Sequence, residues 1–454
     1  MIAAFIILTS LIALLPALMM VDGILANGVV SAIVAIAMVT VVLTLHTSDL
    51  NRFSRLLRPT AFAVLFIPCL WMLLQILPIP IRSLANPVWV SASAALERPF
   101  VGAISLDISA TLLSLASYCA ILAAAFVTAT VTLHKQRAES ILSLLTAIAA
   151  LIAAELIGYD LGYLHLPGYE HLGERADAMN IAVIGFILSS ATMIRAYDHL
   201  DSPNARQRKT RMMAMVAASS SMAALLICLC AILISADAVL LFAAMFGTGI
   251  LIAVLAIRRW RLGPLGQAGI AALAAVAMVG FFAVTPTKKD TDPTLALSTQ
   301  GRISSLERML SDAKWAGSGA GSFEALLPIY RDTEEANSFE IPTAAATIAI
   351  EMGPPFLWTC VVVLLIAVST LFRRALLRGR DYVYSSAGAG CIVAILITLF
   401  ANNGILGLPA SLMISVVCGL AFAQSKSASN KDLNLSDELY SIPNRANAAA
   451  GAAR

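Results

Sequence analysis

Four features between positions 302 and 351 combine residue types that suit the binding of a charged substrate. Arg302 carries a permanent positive charge, and the run Gly-Ser-Gly-Ala-Gly at 317–321 allows positive-φ backbone whose amides can converge on an anion. Glu340 and Glu351 add two carboxylates close by in the chain. Together these groups predict an anion site with acidic side chains able to face the same cavity.

Arg302 and the glycine run each have a plainer alternative. Apolar residues recur at helical spacing over 302–315, so this segment is predicted to be an amphipathic helix with Arg302 on its apolar side and Arg308 pointing away. Arg302 is then either a cation that reaches inward or a solvated arginine at a helix end. The glycine run is either an anion-binding loop or a flexible turn, and no strand precedes it as a dinucleotide-binding motif would require.

A second short helix is predicted over residues 342–352. Pro342 suits the first turn of a helix, and Thr343, Thr347 and Glu351 recur every four residues on one face. The following Gly-Pro-Pro at 353–355 stops that helix. Glu340 would lie near its start and Glu351 near its end, with a solvated surface glutamate as the alternative for each.

The elements that position these groups must lie in a membrane. Hydrophobic residues make up 59% of the 454-residue chain and charged residues only 13%, which excludes a soluble enzyme. Apolar runs of about twenty residues also exclude an outer-membrane barrel, whose strands alternate polar and apolar residues. The predicted fold class is therefore all-α: a polytopic membrane bundle of about twelve helices over residues 1–424.

The predicted spans are long enough to cross the hydrocarbon core of a bilayer. They lie near residues 2–21, 24–45, 60–79, 109–131, 139–157, 179–196, 212–234, 238–257, 265–284, 355–372, 382–401 and 408–424.

The distribution of basic residues predicts the orientation of this bundle. Alternate loops, together with the tail, hold most of the 30 lysines and arginines. Because basic loops prefer the cytoplasmic side, both termini are predicted to be cytoplasmic. The longest connection, 285–341, then forms a partly helical loop outside the cytoplasm, and the polar tail 425–454 is predicted to be disordered.

Several classes of function lack the residues they need. The seven cysteines all lie in apolar runs, which predicts neither a disulfide framework nor a metal site. No cofactor is predicted, and a net charge of +3 is too small to imply nucleic acid as a partner. The middles of the predicted spans carry no Asp, Glu, Lys, Arg or His, which argues against an ion-coupled carrier.

The order of several motifs resembles the bacterial O-antigen ligase and Wzy-type polymerase superfamily. The segment Asn-Pro-Val-Trp at 86–89, followed by Ser-Leu-Asp at 105–107, is similar to an outward stretch of that family. Residues 173–180, which run from Gly-Glu-Arg to Asn180, resemble its outward loop ending in an asparagine. Arg302, the run 317–323 and Glu-Met-Gly at 351–353 resemble the order of its largest outward loop.

The resemblance implies an inverting, metal-independent glycosyl transfer at the periplasmic face of the inner membrane. The implied donor is a glycan on undecaprenyl diphosphate, held beside membrane lipid. The implied acceptor is a hydroxyl group of another glycan or of lipid A-core, and a chain-length regulator protein is a further implied partner. The departing diphosphate needs cations and amide donors, and the attacking hydroxyl needs a general base.

The resemblance assigns these roles to particular residues. Glu340 is expected to act as the base and Arg302 as the catalytic cation. The expected substrate-binding residues are Arg175, Asn180, Gly317, Gly319, Gly321, Arg331 and Glu351.

Two positions depart from the ligase pattern and leave alternatives open. Family ligases carry His-Asn nine residues before the glutamate, where this chain has Pro342 and Thr343. The short outward turn that supplies an arginine reads Ser-Ala-Asp at 235–237. The chain is therefore a polymerase or ligase-like enzyme whose chemistry has moved, a lipid-linked glycan carrier, or a non-catalytic partner of a polysaccharide polymerase.

Overall fold

The computed structural model describes residues 1–21, 23–44, 59–78, 85–97, 101–164, 172–200, 208–259, 304–330, 342–377 and 381–426. These residues form helices and short turns, with no strand among them. The all-helical fold predicted from the sequence is confirmed for this part of the chain.

Sixteen helices follow one another in the described residues. They are α1 (Ile2–Ala13), α2 (Leu15–Leu18), α3 (Ile24–Thr44), α4 (Pro59–Ile76), α5 (Val88–Ala95), α6 (Ile108–Val131), α7 (Lys135–Asp160), α8 (Leu172–Leu200), α9 (Arg208–Ile234), α10 (Ala238–Arg259), α11 (Ser304–Ser311), α12 (Phe323–Tyr330), α13 (Ala344–Met352), α14 (Pro354–Leu377), α15 (Tyr382–Leu399) and α16 (Leu408–Lys426).

Nine of the described helices are long and apolar enough to cross a membrane, and the chain is therefore a multi-pass helical membrane protein. Two more apolar helices, Ile2–Ala13 and Val64–Ile76, are shorter. The predicted span 265–284 lies outside the described residues, and the predicted span 2–21 is divided between α1 and the four-residue α2. Each of the other ten predicted spans overlaps one described helix. The total of twelve spans stays a prediction.

Helix α15 lies at the centre of the bundle. Of its membrane-length window 94% is buried, against 11% for the neighbouring α14, whose side chains are left to face lipid. Small residues allow this central position: the run Ser-Ser-Ala-Gly-Ala-Gly at 385–390 lets adjacent backbones approach closely. Helices α8, α10, α14 and α16 pack around it.

Helices α10 and α15 approach each other closely at two glycines. A Cβ atom placed on Gly247 would lie 2.8 Å from the main-chain oxygen of Gly390, and one placed on Gly390 would overlap the oxygen of Gly247. No larger residue fits at either position without moving a helix. Gly249, on the same helix as Gly247, has nothing within 4 Å of its would-be Cβ.

One end of the bundle is held by ion pairs and aromatic contacts. Lys135 lies 2.9 Å from Asp381, and Arg195 contacts both Glu139 and Tyr384. These contacts gather the starts of α7 and α15 with the end of α8. The basic residues here are those that the charge pattern assigns to the cytoplasm, an orientation that stays a prediction. Further contacts at this end are Arg258 over the Tyr382 ring at 4.2 Å, Tyr382 to Asp198 at 3.2 Å and Arg374 to Ser425 at 2.8 Å.

The Gly247 contact predicts a difference between two otherwise matched substitutions. Gly247→Ala is expected to destabilise the bundle by about 1–3 kcal/mol because the added methyl group pushes α10 and α15 apart. Gly249→Ala adds the same group in open space and is expected to be neutral, or stabilising by up to about 1 kcal/mol through helix propensity. Thermal unfolding in one detergent measures both; equal melting temperatures would contradict the close approach.

Candidate functional site

At the opposite end of the bundle, four distant segments meet in what we name the glycine-loop junction. It consists of Gln75 at the end of α4, Ser105 and Leu106 before α6, the turn 315–323 that leads into α12, and residues 351–353 at the end of α13. The turn bonds directly to the segment before α6, since the amide of Leu106 donates to the Ser318 oxygen at 2.8 Å. Three segments that carry the family resemblance, 105–107, 317–323 and 351–353, therefore lie together.

Gln75 is the central residue of the glycine-loop junction. Its side chain is fully buried, and its Nε2 donates to the main-chain oxygens of Ala316 and Glu351, each at 3.0 Å. Its Oε1 accepts from the amide of Ala320 at 3.2 Å, and its main-chain oxygen accepts from the amide of Ser105 at 3.0 Å. One side chain thus ties the turn to α4 and to the end of α13.

The glycines of the turn have conformations that other residues rarely adopt. Gly317, Gly319 and Gly321 have φ values of +76°, +107° and +76°. A Cβ on Gly319 would overlap the side chain of Ser105, and one on Gly317 would overlap the main-chain oxygen of Glu351. The turn is therefore packed against the bundle end rather than extended into solvent.

The backbone amides of the turn are engaged inside the protein. Those of Gly321 and Phe323 donate to the carboxylate of Glu351, the latter at 3.1 Å. In this conformation the anion that the turn binds is thus the protein's own carboxylate. Substrate binding by Gly317, Gly319 and Gly321 stays a prediction, and it would require the turn to open. Five further amides of the turn, those of Gly317, Ser318, Gly319, Ala320 and Ser322, donate to oxygens of Lys314, Ile350, Glu351, Gln75 and Gly319, respectively.

The Glu351 carboxylate has an unusual proton affinity. Burial at the end of α13 raises its pKa to about 7, although the amides of Gly321 and Phe323 act in the opposite direction. The nearby charge of Glu324 contributes a smaller rise. A carboxyl group that titrates near neutral pH can take up or release a proton under ordinary conditions.

Asp107 has a structural role beside this turn. Its side chain caps α6, because one carboxylate oxygen accepts from the amides of Ser109 and Ala110 at 2.9 and 3.2 Å. The Ser109 hydroxyl and these amides hold the pKa of Asp107 below its usual value. The end of the Ser-Leu-Asp motif therefore starts a helix.

A second group of residues, which we name the asparagine junction, lies at the start of α13. It consists of Asn180 on α8, Thr343 and Ala344, and Asn402, Asn403 and Gly404 between α15 and α16. Asn402 joins its parts: its Oδ1 accepts from Asn180 Nδ2 at 2.8 Å and from the amide of Gly404 at 3.1 Å. Its main-chain oxygen accepts from the amide of Ala344 at 2.9 Å. Helix α13 thus connects the two junctions, with Ala344 at one end and Glu351 at the other.

Arg175, a predicted substrate cation, is paired within the protein. Its guanidinium lies 2.9 Å from Asp160, whose side chain is only 7% exposed. The pair joins the end of α7 to the first turns of α8. Substrate binding by Arg175 stays a prediction, and its charge is largely balanced by Asp160 in this conformation.

The remaining predicted site residues lie outside the described part of the chain. These residues are Arg302, Arg331 and Glu340. Most of loop 285–341 and the tail beyond 426 also lie outside the described part. The catalytic assignments of Arg302 and Glu340 stay predictions.

The short helices predicted around them are observed with two corrections. The first helix, α11, ends at Ser311, four residues before the predicted end at 315. Within predicted helix 302–315, α11 buries Leu306 and Met309 and leaves Arg308 exposed, as its pattern predicts. The predicted helix 342–352 begins later than expected. Thr343 is its N-cap, accepting from the amide of Ala346 at 3.2 Å, so Pro342 precedes the helix instead of lying in its first turn.

Residues that sequence reasoning did not single out organise both junctions. Gln75 was visible only as an amide near the end of an apolar span, and Asn402 and Asn403 only as consecutive polar residues between two spans. A buried amide at such a position usually has hydrogen-bond partners elsewhere in the fold, which is the signal available to find it. Its partners, however, lie up to 276 positions away.

Comparison with known proteins leaves the function to be argued from these junctions. No protein-family model matches the sequence, and no curated protein shows significant similarity to it. Among the described residues, no three histidine, cysteine, aspartate or glutamate side chains are arranged to hold a metal ion.

The contacts of Gln75 predict a large effect from a single substitution. Gln75→Leu would leave the Ala316 and Glu351 oxygens and the Ala320 amide without partners, and is expected to destabilise the protein by about 2–4 kcal/mol. Gln136→Leu removes an exposed amide at the other end of the bundle and should change stability by less than about 0.5 kcal/mol. The measurements are thermal unfolding and limited proteolysis of residues 304–330. Similar melting temperatures and cleavage rates for both variants would argue against a structural role for the Gln75 hydrogen bonds.

The raised pKa of Glu351 predicts how stability varies with pH. Between pH 4.5 and about 7 the folded protein keeps a proton that the unfolded chain has lost. The contribution of Glu351 to stability therefore falls as pH rises through this window and is constant above it. Glu351→Gln should flatten this part of the melting-temperature profile.

Glu324→Gln serves as the control for that profile. Glu324 is exposed and only weakly raises the Glu351 pKa, so its substitution should largely preserve the wild-type slope. A Glu351→Gln profile parallel to that of the wild type would show that this carboxyl group does not titrate in the window.

Proposed function

We propose that the chain is a glycosyltransferase of the bacterial inner membrane that acts at the periplasmic face. Its donor would be a glycan on undecaprenyl diphosphate, and it would extend or attach a surface polysaccharide as a polymerase or a ligase-like enzyme. The transfer would invert the anomeric carbon and need no metal ion.

The observation that carries the proposal is the convergence of the resembling motifs. Trp89 of the Asn-Pro-Val-Trp motif donates from Nε1 to the Ser105 oxygen at 2.9 Å, and Ser105 packs on Gly319. Gly319 in turn donates its amide to the Glu351 oxygen at 3.0 Å. The motifs at 86–89, 105–107, 317–323 and 351–353 thus share one hydrogen-bonded junction, which supports a single composite site over unrelated loops.

The transfer would use groups from the segments that flank α11 and α13 in the sequence. The acceptor hydroxyl oxygen would bond to the anomeric carbon while the bond from that carbon to the diphosphate oxygen breaks and its electron pair leaves with the diphosphate. Glu340 would take the hydroxyl proton. Arg302, which immediately precedes α11, would balance the charge that develops on the diphosphate. Glu351 would hold the turn in place while these groups act.

Specific observations favour a non-catalytic assembly partner as the second candidate. Arg175 is paired with Asp160, the amides of the turn are engaged internally, and the register of the ligase His-Asn holds Pro342 and Thr343. Each feature removes a group that catalysis would use but leaves a surface that can bind a lipid-linked glycan. A glycan carrier remains a third hypothesis with no such support.

Deletion of the gene and replacement of one arginine test the proposed reaction. A deletion strain should lose long surface glycans and accumulate short repeat units. Complementation with Arg302→Ala should restore less than about 1% of the long-chain product, since loss of a group that stabilises developing charge typically costs 10²–10³ in rate. Gel profiles of surface glycans measure both.

Arg308→Ala is the matched control for this experiment. Arg308 is exposed on α11, six residues from Arg302, and its replacement should restore the wild-type glycan profile. Unchanged glycans in the deletion strain would rule out the proposed role. Purified protein that binds the donor but never turns it over would favour the assembly partner.

A further inference from the structure

The tryptophans of the described residues are gathered at the end of the bundle that carries the glycine-loop junction. Trp71 and Trp358 lie on α4 and α14, Trp89 lies on α5, and Trp315 belongs to the turn. Tryptophan is enriched where the apolar core of a bilayer meets the lipid headgroups, because its ring is apolar while its N–H can form a hydrogen bond. This distribution points to a bilayer boundary at the level of the junction.

The length of α14 places the boundary at the start of that helix. Helix α14 is long enough to cross a membrane and is largely exposed, with arginines at 373 and 374 near its end. A hydrocarbon core about 30 Å thick takes about twenty helical residues. Counted back from Arg373, the core ends near Gly353 of the glycine-loop junction. The exposed apolar stripe of α14 begins just inside this limit, with Trp358, Val362, Leu365 and Ile366.

Helix α4 gives the same level independently. Its exposed apolar side chains continue through the last turn and just beyond it, with Leu70, Leu73, Leu74 and Leu77. Trp71 lies six residues before Leu77, about 9 Å along the helix axis. The ring centroids of Trp71 and Trp315 are 6.4 Å apart. The Trp315 ring therefore lies beside a turn of α4 that is within the apolar band.

Trp315 combines a fixed main chain with an exposed ring. Its main-chain oxygen lies so close to Gly353 that a Cβ atom on this glycine would overlap it. The ring beside it is also held, since Trp71 Nε1 donates to the Met352 oxygen at 3.0 Å. Trp315 is nevertheless 61% exposed among the described residues. A large apolar ring fixed at this level is stabilised when lipid, instead of water, covers its exposed face.

The charge of the surrounding segment favours a lipid surface without net charge. Residues 304–330 contain two basic and three acidic residues, so attraction to anionic lipid does not draw this segment to the membrane. Lys314, the cation next to Trp315, donates to the main-chain oxygen of Ala85 at 3.2 Å. Contact with the membrane then depends on the apolar ring.

We propose that the exposed face of Trp315 docks on the bilayer, at the boundary between the acyl chains and the headgroups of zwitterionic phospholipids. This surface continues the lipid-facing stripe of α14 through Trp358. The contact fixes the depth of the glycine turn, whose backbone is joined to Trp315, at the edge of the membrane. It does not depend on the proposed glycosyl transfer.

Fluorine NMR of the full chain in nanodiscs measures the depth of each tryptophan. The protein is labelled with fluorotryptophan in phosphatidylcholine nanodiscs, and Trp315→Phe and Trp358→Phe each identify one signal by its loss. A doxyl group on the acyl chain near the headgroup should broaden both signals, and should do so more than a doxyl group at the chain end. A water-soluble gadolinium chelate should broaden them least.

Ser311→Trp provides the matched control for exposure to water. Ser311 is exposed on α11, four residues from Trp315 and on the same face as Arg308. The additional fluorine signal of this variant should be broadened most by the gadolinium chelate. The reverse order of effects at positions 311 and 315 within one short segment would locate the membrane surface between them.

Two further pairs of variants test the contact through stability. Trp315→Leu and Trp315→Gln remove the same ring and differ mainly in polarity. In nanodiscs the Gln variant should be cleaved by protease within residues 304–330 about tenfold faster, because only leucine is stabilised by apolar surroundings. Ser311→Leu and Ser311→Gln should be cleaved at similar rates, and equal rates for the Trp315 pair would contradict the proposal.

The other possible NMR results each overturn the proposal. A Trp315 signal broadened by the gadolinium chelate and not by doxyl lipid would show that the ring faces water. A signal insensitive to both reagents would show that protein covers the ring. Lipid contact that appears only in an equimolar mixture with phosphatidylglycerol would show that the partner is an anionic headgroup.

Discussion

A turn of irregular backbone at the end of an apolar bundle must find a partner for each of its polar groups, because neither lipid nor packed side chains can supply one. In this protein the turn 315–323 meets that constraint through Gln75 and through the main chain and carboxylate of Glu351. The need for close contact with Ser105 and α13 then requires glycine at 317 and 319. Much of the geometry at this end of the bundle follows from this hydrogen bonding.

The same constraint shapes what chemistry the end of the bundle can perform. Amides that hold Glu351 cannot also hold a diphosphate unless the turn opens, and Arg175 is already balanced by Asp160. The positive charge that a phosphorylated donor requires would therefore come from Arg302, in the segment that leads into α11. In the proposed reaction, Gln75 and Glu351 would hold the turn in place while Arg302 and Glu340 act on the substrate.

Features that depend on neighbouring residues could be predicted from the sequence, whereas features that depend on distant residues could not. Helices α11 and α13 follow from spacing and capping residues close in the chain, and they were predicted to within a few residues. The predicted start of α13 was wrong because Thr343 caps the helix, so that Pro342 precedes it and does not lie in its first turn. The glycine run alone was enough to predict anion binding, but it could not predict which anion is bound. Glu351 becomes that anion only because α13 folds back over the turn, with Gln75 joining the two.

The sequence by itself determined that the chain is a helical, multi-pass membrane protein, because apolar runs of bilayer length leave the backbone no alternative to a helix. It also determined where the polar turns and the short amphipathic helix lie, since these depend on neighbouring residues. Only the tertiary structure decided that Gln75, the glycine turn and Glu351 form one cluster and that Asn180 meets Asn402. The contacts of Gln75 with the turn and of Asn180 with Asn402 join residues more than 200 positions apart, and such partners are set by the packing of whole helices, which no local pattern encodes.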